Sequence, residues 1–426
     1  MKEKIMSIAE FMKKNINADD FKLYVNYNDE QCTRFAQNTI TQHISGDYIE
    51  VSYVCIKDQR IGTASTRQID EENLLKIIQK AEEIAVNNSP DTDMETTLSK
   101  EDYPELKNYF PAIETLDTAK MIEIIKKCID FAETKQGILS GIITKSINEF
   151  VYMTKNGFLG YDKSSEIELS MTLRKEHIET KTTFTNKDFE KLCLDGILSR
   201  LNEQFDSLKE MRSMDFEAIP VILRPQAVEQ LFMFFNWYML DRKRADEGLT
   251  PLTNQIGQKF FGEKFNIISD INDKDLTTQP FSSNNVHKTV QWVKDGVILD
   301  LPTSRQWAQK HNLIPSYMFN FIIEGEGVSE KEMMKMVKRG LIINNLWYIR
   351  LNDLKTADFT GMTRDGVMYF EDGEIKYAVN NFRFNEQIHD VTKRILATGE
   401  SVQQGSNSKV PAMLIKDFVF VDKTTF

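Results

Sequence analysis

Apolar residues recur at helical spacing in four places in the first half of the chain. Ile5, Ile8, Ala9 and Met12 share one face, as do Leu74, Ile77, Ile78, Ala81, Ile84 and Ala85. Met121, Ile122, Ile125, Cys128, Ile129 and Ala132 form a third stripe. Leu192, Leu194, Ile197, Leu198, Leu201 and Phe205 form a fourth, within a helix predicted from Asp188 to about Lys209. Asp70 and Asp117 stand where a carboxylate accepts the free amides of a first turn. Between the stripes the pattern alternates, which predicts strands. The first set covers residues 21–25, 34–42, 48–56 and 61–66, with turns at Gly46-Asp47 and at 57–60. The second covers 138–143, 149–153, 158–161, 166–174 and 178–184, with a turn at Lys155-Asn156-Gly157. Both segments read as helix, meander, helix, although their residues do not align. Residues 87–116 carry Pro90, Pro104 and Pro111 and read as a linker.

The pattern changes after residue 216. A strand at 220–223 leads to Pro225, which can open a helix because its missing N–H is not needed there. That helix carries Ala227, Val228, Leu231, Phe232, Phe235 and Leu240. Asp295-Gly296 lies between apolar runs, and a last strand is predicted at 412–420. The sharpest signals lie in 328–384. Ser329 and Glu332 have capping-box spacing, flanked by Val328 and Met333 at the staple positions. Met333, Met336 and Val337 continue the helix, Lys338 and Arg339 suit the negative end of its dipole, and Gly340 is predicted to stop it in the left-handed region. Strands follow at 341–343 and 346–349, and Glu371-Asp372-Gly373-Glu374 reads as a hairpin turn. The expected fold class is α+β: helix-plus-antiparallel-meander domains at 1–90 and 117–212, a linker at 91–116, and a strand-rich antiparallel C-terminal domain at 216–426.

Composition narrows the function. The 426 residues are 41% hydrophobic and 27% charged, ordinary for a globular chain. A net charge of -11 argues against nucleic acid as the main partner, because that affinity is built on Lys and Arg neutralising phosphates. No apolar run approaches the ~20 residues of a membrane span, and Met1-Lys2-Glu3-Lys4 opens an amphipathic helix in place of a signal core. Cys32, Cys55, Cys128 and Cys193 are scattered without CxxC spacing, which points to a reduced, cytoplasmic setting.

A helix ending Lys338-Arg339-Gly340, then Asp358-Phe359-Thr360-Gly361, Arg364-Asp365-Gly366 and the 371–374 hairpin, together resemble the C-terminal domain of the TldD/PmbA family. Arg34-x-Ala36-x-Asn38-x-Ile40-x-Gln42 is similar to that family's N-terminal signature. The family was first described as modulators of DNA gyrase and is now viewed as subunits of a metallopeptidase. The resemblance implies an HExxxH on the helix after the first C-terminal-domain strand, with two zinc-binding histidines and a general-base glutamate. It also implies a ligand cysteine near 397–405. Here the corresponding positions fall at Met233, Phe234 and Tyr238, no cysteine lies in 397–405, and no HExxxH occurs in the sequence. The family's acidic-glycine segment is replaced by Asn284-Asn285-Val286-His287.

The five histidines, His43, His177, His287, His311 and His389, never lie within one helix turn of each other. His287 and His311 share a domain and are the pair available for any replacement metal site. Pro302-Thr303-Ser304-Arg305 lacks a surrounding His and Asp signature and reads as a loop that contacts peptide. Arg364, Arg305, Arg34 and Asn38 are the candidate substrate contacts; no catalytic residue and no metal ligand is assigned. The resemblance thus implies a TldE/PmbA-type subunit without its own cofactor, acting on extended peptides beside a zinc-bearing TldD-like partner. The alternative is a homodimeric peptide- or protein-binding regulator without peptidase activity.

Overall fold

The helices of the first half form where the apolar stripes predict them. In the computed structural model, which describes residues 1–176, 178–208 and 210–423, the first half comprises α1 (Lys2–Asn15), β1 (Asp20–Ala36), β2 (Thr39–Lys57), β3 (Arg60–Thr66) and α2 (Glu71–Asn87). It continues with α3 (Thr118–Thr134), β4 (Ile138–Thr154), β5 (Leu159–Lys175), β6 (Ile178–Asn186) and α4 (Leu194–Ser207). Asp70 and Asp117 cap α2 and α3, accepting from Asn73 N and Lys120 N at 3.0 and 2.8 Å. Each segment is therefore a helix, a three-strand meander and a helix. The two join because β1 pairs antiparallel with β4, giving one six-stranded sheet in the order β3-β2-β1-β4-β5-β6. α1 and α2 cover one end of the long strands, over Leu23, Val51 and Tyr53. α3 and α4 cover the other end, over Phe35, Ile143 and Leu169.

Three local expectations need correction. No turn occurs at Gly46-Asp47; β2 runs straight through it. The reversal lies at Gln37-Asn38, both left-handed at φ 51° and 57°. Asn38 holds that turn from a distance: its amide donates to Gly137 O at 3.0 Å and its carbonyl accepts from Leu139 N at 2.7 Å. The helix expected from Asp188 starts only at Leu194, because Asp188 caps a separate 3₁₀ turn, Phe189–Lys191. Its predicted end at Lys209 lies outside the described residues, as does His177. The third correction concerns Gly340, described below.

The second half adds β7 (Met211–Arg212), β8 (Ala218–Leu223), α5 (Pro225–Met239), α6 (Arg242–Asp246), β9 (Ile267–Ser269), β10 (Val290–Lys294), β11 (Val297–Ile298), α7 (Arg305–His311) and β12 (Phe321–Ile323). It continues with α8 (Glu330–Met336), β13 (Arg339–Asp353), β14 (Asp358–Glu371), β15 (Glu374–Val379), β16 (Phe382–Gln387), α9 (Ile388–Lys393), β17 (Ile395–Thr398), β18 (Val402–Gln403), β19 (Ser408–Val410) and β20 (Met413–Lys423). A six-stranded sheet runs β11-β10-β9-β12-β19-β18, and a larger one runs β13-β8-β20-β16-β14-β15-β7. β13 also pairs with β14, so β13, β8, β20, β16 and β14 close into a ring. α5 buries Leu231, Phe232 and Phe235 in one core with Val221 and Ile415 of the ring and Ile267 and Trp292 of the other sheet. The fold is α+β with mainly antiparallel sheets.

The capping box is present, with Ser329 N donating to Glu332 Oε2 at 2.9 Å and Glu332 N to Ser329 Oγ at 3.3 Å. α8 nevertheless ends at Met336. Gly340 sits inside β13, where a Cβ would lie 2.6 Å from both Pro220 O and Phe370 Cζ. Close packing of neighbouring strands, and no left-handed turn, accounts for that glycine. Asp372-Gly373 and Asp295-Gly296 do form hairpin turns, each with both residues at positive φ (51° and 79°; 48° and 76°). Among the described residues no helix is long and apolar enough to cross a membrane.

Candidate functional site

α5 starts cleanly. Leu223 ends β8, Arg224 is the N-cap, and Pro225 occupies the first turn. Positions 233, 234 and 238 fall on its outer side, next to the buried Phe232 and Phe235. Met233 and Phe234 are half-buried against the core. Tyr238 is 36% exposed, with its ring 6.5 Å from Phe234 and 6.3 Å from Phe359. Trp237, 62% exposed, stands 5.6 Å from Phe234. Arg244 closes the helix end, donating from Nη1 to the carbonyls of Trp237 and Tyr238 at 3.0 and 2.9 Å. This donor set does not fit zinc. A thioether is a weak donor, a phenyl ring has none, and a phenol is protonated near neutral pH. Among the described residues no three His, Cys, Asp or Glu side chains converge to hold a metal ion.

Beside α5, the β13–β14 ladder is irregular. Its register shifts between Ile343 and Asn345 and again between Trp347 and Arg350, and Tyr348 adopts φ 55°. These bulges turn Trp347 and Tyr348 outward, 42% and 54% exposed, with ring centroids 4.7 Å apart. Opposite, Asp365 and Gly366 are both left-handed, at φ 57° and 98°. The result is a cavity of about 600 Å³ at the seam between the halves, lined by Arg174, Glu179, Trp347, Arg364 and Asp365. The Arg364 guanidinium lies 4.1 Å from the Trp347 ring centroid. Its Nε is 3.8 Å from Glu179 Oε1 and 3.6 Å from Asp365 Oδ1. Burial, then the Asp365 carboxyl, pushes the Glu179 carboxyl above its usual range, while Arg364 and Arg174 oppose the shift. Asn345, buried beneath, donates its amide to Asp365 Oδ2 and leaves its own Oδ1 unpartnered.

A larger cavity, about 860 Å³, lies between β6, α4 and the head of α5, and includes Lys181, Arg200, Arg224, Glu330 and Gln403. Arg224 grips Glu330 with two 2.8 Å bonds and reaches Asn344 Oδ1 at 2.6 Å. Nothing in the sequence singled out Arg224, since its partners lie more than a hundred residues away.

The remaining candidates are placed elsewhere. Arg305, at the head of α7, donates to the linker carbonyls of Thr96 and Thr97 at 2.6 and 3.4 Å and to Asn284 O at 3.4 Å. Ser304 caps α7, accepting from Trp307 N at 3.2 Å. Arg34 is exposed on β1, and Asn38 holds the neighbouring turn. His287 is buried between Phe319 and Tyr317, with ring centroids 4.7 and 5.5 Å away. Its Nδ1 meets Gln279 O at 2.7 Å, and burial lowers its pKa to about 4. His311 instead packs on Trp307 at 4.0 Å. The two histidines thus have separate surroundings. All four cysteines are free thiols.

Residues 217–422 match the family described as the PmbA/TldA metallopeptidase C-terminal domain. A metalloprotease PmbA from Escherichia coli O157:H7 is 24% identical over 149 residues, 34% of this chain and 32% of that protein. That match therefore spans about a third of the curated relative. TldE from Thermococcus kodakarensis superposes with a TM-score of 0.84 at 17% identity, covering 99% of this chain and 100% of that one. A candidate modulator of a DNA gyrase from Thermotoga maritima gives 0.83 at 16% identity over 99% of both chains. Another from Bacteroides thetaiotaomicron gives 0.84 at 15% over 98% of both. At these identities the three structures establish the likeness of fold along nearly the whole chain.

Proposed function

Because this chain belongs to the TldD/PmbA family, we propose that it is the zinc-free, TldE/PmbA-type subunit of a heteromeric metallopeptidase acting on extended or unfolded peptides in the cytoplasm. The observation that carries the reading is the side-chain set on α5. The helix follows β8, the sequence contains no HExxxH, and the residues that the family resemblance places there, Met233, Phe234 and Tyr238, supply neither zinc ligands nor a general base. In this reading zinc and the water it activates belong to a TldD-like partner. This chain contributes walls and grip: the exposed aromatics of α5 and β13, with Arg364 over Trp347, form an apolar and cationic surface for peptide or partner. Pairing to the backbone of an extended substrate would tolerate many sequences.

The test is a reconstitution. Purified alone without chelator, the chain carries no stoichiometric zinc by elemental analysis and leaves unfolded peptides intact. Mixed with a TldD-type chain bearing HExxxH, it supports cleavage that a chelator abolishes. Chelator-sensitive cleavage by the chain alone would refute the reading.

A further inference from the structure

A third cavity, of about 270 Å³, opens at the seam between the halves, lined by a different set of residues from the two described above. Its floor is the face of the first sheet turned away from the helices. Asn148 on β4 is paired with Ser164 on β5, and Glu166 lies two residues along on the same side. The rest of the lining comes from loops of the second half. Thr277 precedes β10, Tyr317 and Phe319 precede β12, and Ser406 lies between β18 and β19. Thr277 N donates to Ser406 O at 2.8 Å, which ties two of these loops together. The aromatic wall is held by His287, whose ring is stacked between Phe319 and Tyr317.

The chemistry of this lining is one-sided. Among the described residues no Lys, Arg or His lines the cavity, and its one charged side chain is Glu166. The Ser406 hydroxyl donates to that carboxylate, while the neighbouring charge that acts on it is Glu168, which repels it. Burial pushes the Glu166 carboxyl above its ordinary range. A carboxylate taken out of water without a counter-charge is costly, and a cationic ligand would supply the one that the chain does not. Neutral acceptors stand beside it. Asn148 donates its amide to Ser146 Oγ at 3.4 Å, which leaves its carbonyl oxygen open. Thr277 Oγ1 is buried without a partner. We propose that this cavity binds a primary ammonium group, carried either by the amino terminus of a peptide or by a lysine side chain. An ammonium has three N–H donors and no acceptor, which matches one carboxylate, one amide oxygen and a hydroxyl. The rings of Tyr317 and Phe319 line the same space and favour a cation over a neutral group. The volume admits an amine with a short stem and excludes a folded partner. This inference goes beyond the peptidase reading and does not depend on it.

The test uses the full chain and three probes, followed by saturation-transfer NMR titration: alanyl-alanine amide, its N-acetylated form, and N-acetyl-lysine methylamide. The free-amine dipeptide, the lysine derivative or both should bind saturably, and the acetylated dipeptide should not. Binding of the first alone assigns the site to peptide amino termini, and binding of the lysine derivative assigns it to side chains. Glu166→Gln should weaken binding roughly tenfold or more, because it keeps the shape and removes the charge. Its melting temperature should hold or rise, since a buried charge without a counter-charge is gone, so the loss cannot be ascribed to unfolding. Tyr317→Leu, at a half-exposed position, should weaken binding several-fold. Equal binding of the acetylated dipeptide, an unchanged affinity in Glu166→Gln, or no saturable binding of either amine would overturn the proposal. Loss of amine binding when sodium chloride is replaced by potassium chloride at equal ionic strength would overturn it too, and would give the cavity to a metal cation.

Discussion

A methyl group at position 340 has nowhere to go. One of the two atoms it would strike is the carbonyl oxygen of Pro220, part of the parallel neighbour β8, so no side-chain rotation relieves the contact. Gly340→Ala should therefore cost about 1–3 kcal/mol or more, read as a lower urea midpoint with an unchanged slope. Asp162 on β5 makes a different residue-scale case. Burial raises its carboxyl from the ordinary 3.8 to about 6, only partly offset by the Asn108 amide and the Lys163 N–H. The folded state thus binds more protons than the unfolded state between those values. Stability contributed by the protonated carboxyl is present below about pH 4 and is lost as pH rises through 6. Asp162→Asn should remove that slope and raise stability at neutral pH by on the order of 2 kcal/mol, measured as the melting temperature across pH 4 to 7.

At the scale of elements, the linker is a strap. Asn88 to Phe110 holds little regular structure, yet its backbone carbonyls at Thr96 and Thr97 are taken by Arg305, and Lys310 reaches Asp93 at 2.6 Å. Arg305→Ala should leave the melting transition nearly in place but speed proteolytic cleavage within 88–110 several-fold, because opening of this segment becomes local and cheap. Elements written by local physics were legible in the sequence. The Asp-capped stripes of α2 and α3, the capping box at Ser329 and the two Asp-Gly hairpins all form as expected. What failed was written by distant contacts. The turn at Gln37-Asn38 contains no glycine and depends on an amide reaching Gly137 and Leu139. Gly46 looked like a turn and is extended strand. The candidate site divides the same way. The absence of an HExxxH string is a matter of residue type and is visible in the letters. The cavity around Arg364 draws Glu179 from the other half, and no spacing in the sequence announces it.

At the scale of the molecule, the halves are stitched by buried polar contacts and by shared apolar packing. Lys187 Nζ donates to Leu276 O at 2.7 Å, Asn108 to Thr278 O at 2.7 Å, and Asn186 to Gln403 at 3.0 Å. Ile222, Met333 and Phe370 of the second half lie in one core with Leu139 and Leu201 of the first. The zinc assay and reconstitution above therefore probe a single body, and a side chain at the seam reports on both halves. The closed ring has a consequence for how the molecule comes to exist. β8 opens the second half at residue 218, but its antiparallel neighbour is β20, which is translated only at residues 413–423. Until then the ring has an open mouth and two unpaired edges. The first half, whose strands pair within residues 20–186, can fold on the ribosome while the second is still being made. The ring cannot, so the nascent chain carries apolar β8 without its antiparallel neighbour for nearly two hundred residues of synthesis. Early in its life the chain is a finished domain towing an unfinished one, and its need for a chaperone should be concentrated in that interval.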